Sequence, residues 1–176
     1  MNNLDKLKPY PFERLRGLLT GVSPNPNLAH VNLSIGEPKH PTPQVIKQAL
    51  IDHLDGLAIY PSTLGIPELR AAIANWVNRR FDARVDPNTQ VLPILGSREA
   101  LFAFAQVVLD GAGPAARVAF PNPFYQIYEG AAFLGQAEPL FMNIRPDTGL
   151  PDLKALTAED LAQVRLMYVC SPNNPT

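Results

Sequence analysis

One cysteine, Cys170, is the only thiol in this sequence of 176 residues. No disulfide can form within the chain, and no cysteine pair can hold a metal. Cys170 sits in the apolar run LMYVC with no basic neighbour to activate it, so a buried structural thiol is expected. Histidine is nearly as scarce, and His30, His40 and His53 lack metal-ligand spacing. No apolar run approaches the roughly 18 residues of a membrane-spanning helix. The N-terminal stretch MNNLDKLKPYPFERLRGLL lacks the apolar centre of a secretory signal, so a cytoplasmic location is expected. Without such a signal, the Asn-Leu-Ser at 32–34 carries no glycosylation meaning. A net charge of −1 gives no global field for nucleic acid or an acidic membrane. There is no Gly-x-Ser-x-Gly elbow, Walker loop or zinc motif. GAGPAA at 111–116 has the letters of a dinucleotide fingerprint, but it follows a helical pattern and precedes a strand. That reversed context excludes it.

What is present is an ordinary globular composition, 46% apolar and 18% charged, with 19 prolines. The prolines are about 11% of the chain, roughly double average usage. They fall between periodic segments and so punctuate loops. Apolar spacing predicts helices over PFERLRGLL, PQVIKQALIDHL and IPELRAAIANWVNRRF, the last with Leu69, Ile73, Trp76 and Val77 inward. HVNLSIGEP reads as a short alternating strand. From about residue 89 the pattern changes. TQVLPIL, ARVAFP, EPLFMNI and VRLMYV read as strands, and SREALFAFAQVVL, FYQIYEGAAFL and residues 152–163 as helices. Such alternation with short connections predicts βαβ units, an α/β chain with a mainly parallel sheet between helical layers.

Ligands of such sheets bind beyond the carboxyl ends of the strands. The loops there are GSRE, PNPFY and SPNNPT. Ser97 reads either as a helix cap or, with Gly96, as part of an anion site at the N-terminus of a helix. Phe124 and Tyr128 read as core residues. Tyr125 is either core or a ring lying face-on to a planar ligand. Asn173 and Asn174 belong to a turn or donate amide hydrogens to an anionic oxygen. The sequence leaves open whether Asn122-Pro123 and Asn174-Pro175 are cis, with trans the default for X-Pro.

In their order and spacing, YPSTLGIPELRAAIANW, GSREAL, PNPFYQIY and SPNNPT resemble the fold-type I, class I/II pyridoxal-phosphate aminotransferases. The resemblance runs from LSIGEPKHPTP to the end. YPFERLRGLL, VLPILGSREALFA and PNPFYQIYEGAA look like bacterial N-succinyldiaminopimelate aminotransferases of lysine biosynthesis. The resemblance implies pyridoxal 5'-phosphate as cofactor, with Gly96, Ser97 and Arg98 at its phosphate. It places Tyr125 on the pyridine ring and Asn174 at the phenolic oxygen. Tyr60 matches a tyrosine that reaches the phosphate of a neighbouring subunit, implying a homodimer, and Gly36 the small residue by the substrate carboxylate.

The same resemblance implies amino-group transfer between glutamate or 2-oxoglutarate and an amino or keto acid, small-molecule substrates with no nucleic acid or membrane involved. It implies a three-layer sandwich, the incomplete large domain of the fold. Residues 1–42 would be an N-terminal arm and part of the small-domain region, and residues 43–176 the first part of the cofactor-binding domain. The Schiff-base lysine of the family is expected beyond Thr176. Lys6, Lys8, Lys39, Lys47 and Lys154 all read as loop or helix-surface residues. The chain is therefore read as the N-terminal part of a longer enzyme, inactive by itself. The alternatives are a non-catalytic or split-chain module, or a lyase of the same fold.

Overall fold

A computed structural model describes residues 3–176. They form two compact units, one comprising the N-terminal residues through Thr20 together with Ile94–Thr176, the other Gly21–Pro93.

The first unit is built on a parallel sheet. Strands β1 (Arg117–Asn122), β2 (Glu138–Asn143) and β3 (Val164–Met167) lie in the order β2-β1-β3. β1 pairs in parallel on both sides, with Arg117 opposite Glu138 and Val164; the register to β3 slips between Arg117 and Val118. Val118, Ala119, Phe120 and Pro121 are all fully buried. A strand buried on both faces is what the middle of a covered parallel sheet requires. Helices α4 (Ser97–Leu109) and α5 (Ile127–Leu134) pack on each other and on the sheet. Ala105, Leu109, Tyr128, Ala131 and Ala132 close over Val118 and Phe120. At the far end of this pair, a Cβ on Gly135 would collide with Leu109 Cδ1 and lie 3.1 Å from the Ala131 carbonyl. Glycine here serves close approach, since its φ of −80° suits any residue. A short helix, α6 (Ala158–Gln163), is held by a capping box in which Thr157 and Asp160 bond each other's backbone N–H groups. Asp160 also meets Arg117 at 2.5 Å.

The N-terminal residues belong to this unit. A 3-10 turn (Asn3–Lys6) packs on α5, and α1 (Pro11–Leu18) follows. Lys6 pairs with Glu138 at 2.5 Å and Lys8 with the buried Glu129 at 2.7 Å.

The second unit carries α2 (Gln44–Asp52) and α3 (Pro67–Phe81). Both were expected from periodicity, yet Val45, Ile46, Leu50, Leu69 and Trp76 are exposed, with Ile73 and Val77 half-buried. Within residues 21–93 these stripes meet no sheet, so periodicity produces a helix without burying it.

Two expected strands are not strands. Residues 30–38 and 89–95 are irregular. An alternating pattern becomes a strand only where a neighbour takes its backbone hydrogen bonds, and neither segment joins the sheet. The isomers left open by the sequence are settled against the trans default. Asn122-Pro123 and Asn174-Pro175 are cis, as is Ser171-Pro172. The trans preference of an X-Pro bond is only about 0.5–1 kcal/mol, within reach of local packing.

Candidate active site

The chain enters α4 through Gly96, whose φ of +106° is rarely open to residues with a side chain. Gly96, not Ser97, holds the cap position, and no side chain caps the helix. The capping alternative for Ser97 is therefore not realised. The first-turn N–H groups keep their positive end without a side-chain acceptor, which is the property an anion site needs.

Arg98 turns back toward the loop after β1. Its Nε donates to the Tyr125 hydroxyl at 2.8 Å, and its guanidinium lies 5.9 Å from that ring's centre. The Tyr125 hydroxyl, and next the Tyr10 hydroxyl, raise the pKa of Arg98 above its ordinary value. Tyr125 is half-buried and meets Tyr128 edge to face at 5.8 Å. Tyr128 stacks on Tyr168 at 4.2 Å, and the Tyr168 hydroxyl donates to the Leu101 carbonyl at 2.6 Å. Burial, then the neighbouring Tyr128, pushes Tyr168 up to about 12. Burial, then Cys170, raises Tyr128 as well. Phe124 packs on Phe120 at 4.8 Å, so Phe124 and Tyr128 are core residues as expected.

The loop after β3 closes the cluster. Asn173 Nδ2 donates to Thr176 Oγ1 at 2.7 Å and to the Pro123 carbonyl at 3.4 Å. Its Oδ1 is buried with no partner. Asn173 thus ties its loop to the one carrying Tyr125, leaving Asn174 exposed. Cys170 is half-buried rather than buried, and its thiol donates to the Pro172 carbonyl at 3.2 Å.

Two contacts therefore join the three expected loops: Arg98 to Tyr125 and Asn173 to Pro123. The donor set suits pyridoxal phosphate. A helix N-terminus can hold a phosphate, an aromatic ring can cover a pyridine, and an exposed amide can donate to a phenolate. Tyr60 and Gly36 belong to the other unit. Tyr60 is 93% exposed, and the space around Gly36 is open.

Sequence reasoning missed Tyr10 and Tyr168. Tyr10 stands in a Pro-rich stretch that reads as a helix start, and Tyr168 in an apolar run that reads as plain strand.

Comparison with known proteins identifies the family. The family model "Aminotransferase class I and II" matches residues 29–176. An LL-diaminopimelate aminotransferase of Desulforudis audaxviator is 34% identical over 97% of this chain and 43% of its own length. An aminotransferase from Neisseria meningitidis of known structure is 50% identical, with a TM-score of 0.90 over 99% of this chain and 45% of its own. The N-succinyldiaminopimelate aminotransferase of Mycobacterium tuberculosis is 30% identical, with a TM-score of 0.71 over 100% of this chain and 44% of its own. The chain spans less than half the length of each of these proteins. An uncapped helix N-terminus, a ring held beside it and the match over residues 29–176 lead to one conclusion: this chain belongs to the class I and II aminotransferases, a pyridoxal phosphate-dependent family.

Proposed function

We propose that the protein containing this chain transfers an amino group between glutamate or 2-oxoglutarate and N-succinyl-L,L-diaminopimelate, as a cytoplasmic homodimer in lysine biosynthesis. The observation that carries the reading is the convergence of the uncapped α4 N-terminus, Tyr125 and the Asn173-Asn174 loop. The likeness to enzymes named for LL-diaminopimelate and N-succinyldiaminopimelate supports the substrate class. In this reading residues 43–176 begin the cofactor-binding domain and residues 1–42 form the arm and part of the small-domain region.

When bound, pyridoxal phosphate supplies an electron sink for the carbon that loses or gains the amino group. This chain's residues would do the holding. The N–H groups after Gly96, with Ser97, take the phosphate through the helix dipole. The Tyr125 ring lies on the pyridine face and excludes water from it. Asn174 donates its amide to the phenolic oxygen, favouring its ionised form. Tyr60 reaches the phosphate of the second subunit, for which its exposure leaves it open. Gly36 leaves room for the substrate carboxylate, since nothing lies within 4 Å of where its Cβ would stand.

The anchoring lysine lies outside residues 1–176 in this reading. Lys6 and Lys8 are engaged by Glu138 and Glu129, and Lys39, Lys47 and Lys154 are exposed. Two measurements test the proposal. Borohydride reduction of the native protein followed by intact mass analysis should show one reduced pyridoxal phosphate on a lysine other than these five. Steady-state kinetics should give a higher kcat/KM for the N-succinylated amino donor than for free LL-diaminopimelate. The reverse order moves the substrate to the unsuccinylated acid, and absence of an adduct overturns the reading.

A further inference from the structure

We infer that Tyr168 is a positioning residue, which sets the spacing between the α4 N-terminus and the loops carrying Tyr125 and Asn174. The inference rests on the functional reading above, and adds to it a residue that itself touches no ligand.

Those three parts of the site come from three different elements. Pyridoxal phosphate carries its phosphate at one end and its ring at the other, so it is held well only if that spacing is fixed. The contacts between the loops are too weak to fix it. Arg98 is exposed, and Asn173 reaches the Pro123 carbonyl only at 3.4 Å. A firmer tie is needed beneath them.

Tyr168 supplies it through three contacts of one residue. It directly follows β3, at the base of the loop that leads to Asn174. Its backbone N–H donates to the Ala119 carbonyl of β1 at 2.9 Å. Its ring lies on that of Tyr128 in α5, with centroids 4.2 Å apart and planes 14° from parallel. Its hydroxyl crosses to α4 and donates to the Leu101 carbonyl at 2.6 Å. Tyr128 in turn meets Tyr125 edge to face at 5.8 Å. One residue thus ties α4, α5 and β1 to the start of the Asn174 loop.

The hydroxyl bond suits this task. Tyr168 is only 5% exposed, so little water competes for its hydrogen. A carbonyl has two lone pairs, and Leu101 can accept from the tyrosine without leaving the helix ladder. Leu101 stands four residues beyond Ser97, about one turn or 6 Å along the axis. The tie therefore acts close to the anion site. Phenylalanine would fill the same space and keep the stack, so packing alone does not call for the hydroxyl.

The test uses the full-length protein, stripped of cofactor and titrated at neutral pH with pyridoxal phosphate, pyridoxal and inorganic phosphate. Tyr168→Phe removes the hydroxyl and keeps the stacked ring. It should raise the Kd for pyridoxal phosphate by about three- to tenfold, the weight of one hydrogen bond. The Kd values for pyridoxal and for inorganic phosphate should stay as in the wild type, because neither ligand spans the spacing that is lost. The circular dichroism of the bound cofactor's visible band should change, since it reports how the ring sits. Tyr168→Leu also removes the stack behind Tyr128, and should weaken pyridoxal as well while sparing inorganic phosphate. If Tyr168→Phe lowers stability but leaves all three constants and the visible band unchanged, the residue is structural only and the inference fails. Equal weakening of all three ligands would also overturn it, by showing general damage to the site. A wild-type protein that binds no pyridoxal phosphate would overturn the functional reading, and this inference with it.

Discussion

Residues 94–176 and residues 21–93 are both rich in apolar side chains, but they use them differently. The first region buries Val118, Phe120, Leu109, Tyr128, Met142 and Tyr168 around one strand. The second holds a single fully buried side chain, Ala74. Composition does not explain the contrast. A parallel strand paired on both sides offers two faces for helices to cover, whereas two amphipathic helices without a sheet leave their stripes in the open. The three loops joined by Arg98 and Asn173 belong to the packed region, and the residues assigned to a partner and a substrate, Tyr60 and Gly36, belong to the open one.

The largest expected effect tests this contrast directly. Phe120→Ala should destabilise the protein by about 3–5 kcal/mol, through lost transfer energy and a cavity at the centre of the sheet. Leu57→Ala, at a residue 82% exposed, should change stability by no more than about 0.5 kcal/mol. Urea unfolding of the two variants measures both, and equal losses would show that residues 21–93 are covered in solution.

The next effect is alkaline. Tyr168 is pushed up to about 12 in the folded chain by burial and then by Tyr128. An unfolded tyrosine ionises near 10. This contribution is intact below the unfolded value, and it falls by about 1.4 kcal/mol per pH unit until the folded value is passed. Urea midpoints across that window should decline, and less steeply in Tyr168→Phe.

A smaller change is expected at the site. Tyr125→Ala should weaken cofactor retention by up to about tenfold, the weight of a lost ring contact. An unchanged Kd would return Tyr125 to a purely structural role.

The smallest is local. Thr157→Ala removes one half of the capping box and should cost about 1 kcal/mol. Asp160, the other half, has its pKa lowered first by the Thr157 backbone and hydroxyl and then by Arg117. Its contribution is present above the ordinary carboxylate range and is lost as pH falls through the lowered value. The acid limb of a stability profile should therefore shift in Thr157→Ala.

These residues also show what the sequence could and could not reveal. α4, β1, α5, β2 and β3 were legible because each combines a clear period with a punctuating glycine or proline. The loop PNPFY was legible as the turn between β1 and α5. Residues 30–38 and 89–95 were misread as strands because pairing is a property of two segments, and periodicity describes one. Tyr10 was invisible for a similar reason. It lies 88 positions from Arg98 in the numbering, and no local pattern reports that its hydroxyl raises the pKa of Arg98 across that span. Asn173 and Asn174 stand side by side, and only the fold shows that the first is spent on Pro123 and Thr176 while the second is left exposed.

Gly135 sets a limit on how this site can change. It allows the C-terminal ends of α4 and α5 to touch where a methyl group would strike Leu109. A helix of 13 residues is about 20 Å long and behaves as a rigid rod. Prying its far end away from α5 swings its near end, so a substitution at 135 acts on the lever that aims Gly96 and Ser97. The position of the α4 N-terminus is decided partly at a residue with no functional group, a helix length away.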